Sequence, residues 1–231
     1  MATSKDRQTL KLAVCLFDDV TTLDFQGPLE HLGFLARWNV VETAPPFTRI
    51  DSKFIIDSVF LGPSTDPVRP CTGPLMIPTR TYDSVGEDEQ FDMILVPGGP
   101  GAQPEAVPPS LLSFIKRQAP GATYVLSACT GSWVLAHAGV LRGKRATTNK
   151  ASLQLIRDLT TELGVTWVAK ARWVVDGKYW TSSGVTAGID MSIAFLTHLI
   201  GEALTTKIRG LSEASVRGEG DDEYAEFHGL V

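Results

Sequence analysis

The chain has 231 residues, 43% of them apolar and 20% charged, enough to bury one substantial core in a single domain. A formal net charge of −5 with scattered Lys and Arg leaves no footprint for nucleic acid, and no run reaches the roughly eighteen apolar residues of a membrane-spanning helix. The start leads into a strand rather than a signal-type segment, and the three cysteines, Cys15, Cys71 and Cys129, lack the spacing of zinc sites or disulfide scaffolds, so a cytosolic protein with free thiols and no metal site is expected.

Residues 1–9 read as an extension, 10–216 as one domain and 217–231 as an acidic tail that frays. Leu10 to Phe17 is an apolar run without helical period, as in a strand buried on both faces of a parallel sheet. Cys15 within it reads as a core residue. A loop then enters a helix running to about Leu35, with Asp24 at its mouth; locally, Asp24 is a helix N-terminal charge or cap worth about 1 kcal/mol. His31 on the same helix reads as a surface or packing residue. Residues 47–82 alternate short strands with turns.

Phe91 to Val96 is a second buried strand, and it ends in Pro97-Gly98-Gly99-Pro100-Gly101. This is no phosphate loop, since neither GxxxxGK[ST] nor GxGxxG is present. Gly98 and Gly99 are either a tight turn or donors of an oxyanion hole. A helix from Pro109 to Ala119 precedes the stretch Tyr124-Val125-Leu126-Ser127-Ala128-Cys129-Thr130-Gly131-Ser132, read as strand, sharp turn and helix. That is the pattern of a nucleophile elbow with Cys129 at the bend, where the first amides of the following helix favour a thiolate. His137, two turns on, is too far along to serve as its base.

Ala146-Thr147-Thr148 reads as a short strand and Ser152 to Leu163 as a helix. Asp176-Gly177 marks a hairpin. Asp190, read as a cap, lies at the start of an apolar helix ending at Ile200, and a last helix covers Ala203 to Val216. Trp133 and Trp167 are candidate pocket walls for which core packing is the simpler role.

Strands alternate with helices, and Asp24, Gly98-Gly99 and Cys129 all follow strand ends, where open α/β sheets bind ligands. Five motifs in order, Leu23-Asp24-(x)2-Gly27-Pro28, Val96-Pro97-Gly98-Gly99-x-Gly101, Ala128-Cys129-Thr130-Gly131-Ser132, Ala146-Thr147-Thr148 and Thr181 to Asp190, together resemble the ThiJ/PfpI superfamily. The resemblance covers about residues 10–202. It implies a flavodoxin-like three-layer α/β/α sandwich with a mostly parallel sheet, a cysteine nucleophile elbow and a homodimer without cofactor. Cys129-Thr130-Gly131 is similar to the isonitrile hydratases of the superfamily and to the sensor halves of certain AraC-type regulators. Both groups often follow Ala-Thr-Thr with His-Trp, where this chain has Asn149-Lys150.

The resemblance implies that Cys129 attacks a small isonitrile while Asp24 protonates its carbon and later orients water. Thr130 would supply a hydroxyl and an amide, and Gly98 and Gly99 amides facing developing charge. Alternatives are glyoxalase-type turnover of an α-oxoaldehyde, or a non-catalytic redox sensor or chaperone.

Overall fold

The computed structural model describes residues 7–40 and 44–231. In chain order it contains β1 (Gln8–Cys15), α1 (Thr22–Leu32), α2 (Arg37–Val40), β2 (Phe54–Gly62), β3 (Arg80–Thr81), β4 (Met93–Val96), α3 (Pro109–Gln118), β5 (Tyr124–Ser127) and α4 (Gly131–His137). Then follow β6 (Arg145–Ala146), α5 (Lys150–Leu159), β7 (Thr166–Trp167), β8 (Trp173–Asp176), β9 (Tyr179–Ser182), α6 (Ala187–Ile200), α7 (Glu202–Ser212) and α8 (Tyr224–Phe227). β1 begins at Gln8, two residues inside the expected extension.

Seven strands form one sheet in the order β3-β2-β1-β4-β5-β9-β8. All neighbours run parallel except β8 and β9, the hairpin turned by Asp176-Gly177 with Gly177 at φ +62°. β6 and β7 form a separate parallel pair. Flanked by helices, this is the flavodoxin-like α/β sandwich expected. The reason lies in the central strands: Leu12 to Cys15 and Met93 to Val96 are all fully buried, as a strand covered on both faces must be. Among the described residues no helix is long and apolar enough to cross a membrane.

β1 lies between β2 and β4, so the connections leaving β1 and β4 diverge to opposite sides of the sheet. The crevice at such a switch point is open at the carboxyl ends of the strands. α1 descends from the end of β1 and packs against α6, burying Phe25, Pro28 and Leu32. Those apolar contacts fix the helix mouth, and with it Asp24, over the crevice.

The acidic end does not fray. Asp222 is buried against the Lys150 ammonium at 3.1 Å, the Arg172 N–H donates to the Glu219 carbonyl at 2.7 Å, and α8 follows. Read as a string of acids, 218–223 is solvated; a buried lysine at the start of α5 supplies the partner that makes burial of one of them tolerable. Asp190 is likewise no cap. Its Oδ2 accepts from Arg172 Nε at 2.7 Å and its Oδ1 from the Arg217 N–H at 3.0 Å.

Candidate active site

Asp24 sits in the first turn of α1, fully buried. Its Oδ2 accepts the Gly98 N–H at 3.0 Å, so its partner is the loop after β4 rather than its own helix end, which revises the capping role. Oδ1 has no hydrogen-bond partner among the described residues. The same loop is tied back to the helix entrance by the Thr21 N–H, which donates to the Gly98 carbonyl at 2.9 Å.

Cys129 stands between β5 and α4 at φ +56°, a left-handed conformation uncommon for any residue but glycine. The bend is over-determined. Its N–H donates to the Ser183 carbonyl at 3.0 Å, and its own carbonyl accepts the Ser132 and Thr148 hydroxyls, each at 3.1 Å. Gly131 opens α4 because a Cβ there would lie 2.1 Å from the Val96 carbonyl oxygen. The thiol donates to Asp24, and the sulfur accepts from the Thr130 and Val185 backbone N–H groups and the Asn149 side chain.

The electrostatics follow from burial. Asp24 is pushed up to about 6, chiefly by desolvation, which the Gly98 and Cys129 donors partly offset. Cys129 is pushed up to about 12, first by burial and second by the Asp24 charge, against three opposing donors. Burial thus works against the charged form of both groups. The helix amides expected to favour a thiolate are opposed here: the Thr130 backbone lowers the thiol, while burial and the neighbouring carboxylate raise it.

The glycine loop also differs from expectation. The Gly98 amide serves Asp24, and the Gly99 amide donates to Thr130 Oγ1 at 2.9 Å while that hydroxyl donates back to the Gly99 carbonyl at 3.3 Å. Both amides orient site residues within the protein rather than standing open as oxyanion donors. Gly98 is needed for that fit, since a Cβ would fall 2.5 Å from both the Thr130 nitrogen and its Oγ1. Asp24, Gly98, Gly99, Cys129 and Thr130 are thus one hydrogen-bonded unit.

With the loops after β1, β4 and β5 placed in this way, a match over residues 10–198 to the model of the DJ-1/PfpI family decides the family. The chain belongs to the DJ-1/PfpI family. It is 37% identical to an isonitrile hydratase of Pseudomonas putida over 192 residues, 83% of this chain and 73% of that protein. It is 25% identical to a glutathione-independent glyoxalase of Caenorhabditis elegans over 150 residues, 65% of this chain and 77% of that one. A crystal structure of a ThiJ/PfpI family protein from Pseudomonas syringae superposes with a TM-score of 0.74 at 25% identity, covering 92% of this chain and 78% of its own.

Two members of the site were given no role from the sequence. Asn149, the N-cap of α5, accepts the Ala151 N–H at 3.0 Å through Oδ1, which leaves its amide nitrogen for the Cys129 sulfur. Val185 contributes only its backbone, at φ +32°, a strained value for a β-branched residue. Sequence offers no sign of such an amide. The remaining candidates make structural contacts: the His137 and Trp133 rings lie 5.9 Å apart at a 43° tilt, Trp167 Nε1 donates to Thr160 Oγ1 at 2.9 Å, and buried His31 has Nδ1 3.1 Å from Ser192 Oγ.

Proposed function

We propose that this protein is a cofactor-free isonitrile hydratase acting on a small R–NC substrate. The observation that carries the reading is the buried Asp24–Cys129 pair at the carboxyl ends of β1 and β5, with Asp24 Oδ1 free of hydrogen-bond partners.

An isonitrile carbon carries a lone pair and accepts both a proton and a nucleophile. As sulfur bonds to that carbon, the thiol proton passes by way of Asp24 to the same carbon, giving a thioimidate, R–N=CH–S–Cys129. Water, deprotonated by the Asp24 carboxylate, then adds to the carbon. Asp24 passes that proton to the imine nitrogen, giving R–NH–CH(OH)–S–Cys129; the C–S bond then breaks, the hydroxyl proton passes by way of Asp24 to the leaving sulfur, and R–NH–CHO departs. The net change is R–NC plus water to the N-substituted formamide. The amides of Thr130 and Val185 and the Asn149 side chain hold the sulfur in line and stabilise the charge it gathers when it leaves; such donors are worth roughly 2–4 kcal/mol at a transition state. Gly98, Gly99 and Thr130 set the positions of Asp24 and Cys129.

Burial of Cys129 disfavours a peroxide sensor, whose cysteine is solvent-accessible. The glyoxalase relative supports the alternative of α-oxoaldehyde turnover by the same pair. Purified protein assayed side by side for formamide from an isonitrile and for loss of methylglyoxal separates the two; formamide formation abolished by Cys129→Ala is the expected result, and methylglyoxal turnover alone overturns the reading. The family further supports a cytosolic homodimer, for which sedimentation would show twice the chain mass.

A further inference from the structure

Two limbs of the chain reach the cysteine bend from outside its own strand and helix. The first, Thr147 to Lys150, gives the Thr148 hydroxyl to the Cys129 carbonyl at 3.1 Å and the Asn149 side chain to the sulfur. The second, Ser183 to Val185, accepts the Cys129 N–H on the Ser183 carbonyl at 3.0 Å and gives the Val185 N–H to the sulfur. The limbs meet at Gly184, where a Cβ would lie 2.6 Å from the Asn149 side-chain nitrogen. One limb connects β6 to α5 and the other β9 to α6, so contacts from elsewhere must fix them.

Residues 217–222 supply those contacts. Asp222 pairs with the Lys150 ammonium at 3.1 Å, and that ammonium donates to Thr147 Oγ1 at 2.6 Å and to the Ala171 carbonyl at 2.8 Å, closing the first limb end to end. Asn149 precedes Lys150 directly and caps α5 through Oδ1, so a fixed Lys150 also fixes which way the Asn149 nitrogen faces. On the other side Arg172 donates its N–H to the Glu219 carbonyl at 2.7 Å and accepts the Ser183 N–H at 2.8 Å. Its guanidinium holds Asp190 and Thr186, just past the second limb, and Asp190 accepts the Arg217 N–H at 3.0 Å.

Lys150, Arg172, Asp190 and Asp222 are each more than nine-tenths buried. Replacing a buried ion pair by apolar residues of similar volume is often neutral or stabilising, whereas its hydrogen bonds fix direction. What four buried charges in one place supply is therefore arrangement rather than strength, and the groups they arrange are the two limbs at Cys129.

We propose that residues 217–222 are a clasp that positions the reactive cysteine, with Asp222 acting through Lys150 and Asn149 on the Cys129 sulfur. Asp222 is a positioning residue, since it touches neither the sulfur nor Asp24. The role concerns how the thiol is held and stands whichever substrate the Asp24–Cys129 pair turns over.

The sign of one shift tests the clasp without any turnover. Asp24, from α1, is the charge that bears on the thiol, and the other groups facing the sulfur are the neutral Thr130, Val185 and Asn149 donors. Losing the Asp222 charge in Asp222→Asn would by charge alone ease ionisation of the thiol, whereas a displaced Asn149 makes it harder. Iodoacetamide alkylation is followed on the Cys129 peptide by mass spectrometry across pH, each variant being held below its melting temperature. The profile of Asp222→Asn should move upward, with a rate at pH 8 roughly threefold lower, and the same change made in Asn149→Ala should add nothing. A joint variant, Lys150→Leu with Asp222→Leu, separates positioning from folding: it should regain stability yet keep the upward shift, because Asn149 remains untied. A profile unmoved or moved downward in Asp222→Asn, a full second shift in Asn149→Ala, or a normal profile in a stable joint variant would each overturn the proposal.

Discussion

The Asp24 carboxyl and the Cys129 thiol are paired at the ends of β1 and β5, and burial pushes both upward. Neither group is presented by its own element alone. Asp24 is aimed by the Gly98 amide, and Cys129 by the strained bend and by donors from Asn149 and Val185.

Asp24 carries a pH signature. Its value in the folded chain, about 6, lies above the ordinary 3.8, so its contribution to stability is complete below pH 3.8 and is lost as pH rises through about 6. Above that the ionised carboxylate costs on the order of 3 kcal/mol. Asp24→Asn should therefore melt several degrees higher than the unmodified protein at pH 8 and level with it at pH 4, in thermal scans across that range.

The same variant separates two effects of the carboxylate. Hydration should fall by roughly a thousandfold through loss of the proton carrier. Alkylation of Cys129 by iodoacetamide at pH 8 should become faster, because the Asp24 charge is the second cause holding the thiol up and it is then gone.

Gly98→Ala places a methyl 2.5 Å from the Thr130 nitrogen, backbone that gives way only if the bend moves. We expect a loss of about 1–3 kcal/mol in urea unfolding and at least a hundredfold drop in kcat.

Asn149→Ala removes a donor to the sulfur and the N-cap of α5. Stability should fall by about 1 kcal/mol, and Cys129 alkylation should shift to higher pH, the reverse of Asp24→Asn.

Asp222→Asn leaves the Lys150 ammonium without its ionised partner in a dry site. Breaking a buried pair from one side costs about 3–5 kcal/mol, and replacing both residues by apolar ones should recover most of it, which denaturation of the single and double variants would show.

The sheet and the three loops were legible because fully apolar strands and glycine turns are local signals: Leu10 to Phe17 fixes β1, and Gly98 and Gly131 are where only a missing Cβ fits. Asn149 was visible as a break from the His-Trp continuation, though its reach to a sulfur twenty residues earlier belongs to the tertiary fold. Val185 acts through an amide every residue has. The acidic 218–223 segment reads as solvated until Lys150 is placed against Asp222. The burial that raises the Cys129 thiol was hidden for a related reason, since helix dipoles are local and burial is not.

The central claim is that sulfur bonds the isonitrile carbon while Asp24 delivers the proton, and rapid-quench mass spectrometry of the Cys129 peptide during turnover tests it most directly. A transient adduct equal to the whole mass of the isonitrile, absent in Asp24→Asn, is the predicted result. Formamide produced with Cys129 never modified, or by Cys129→Ala, would contradict it.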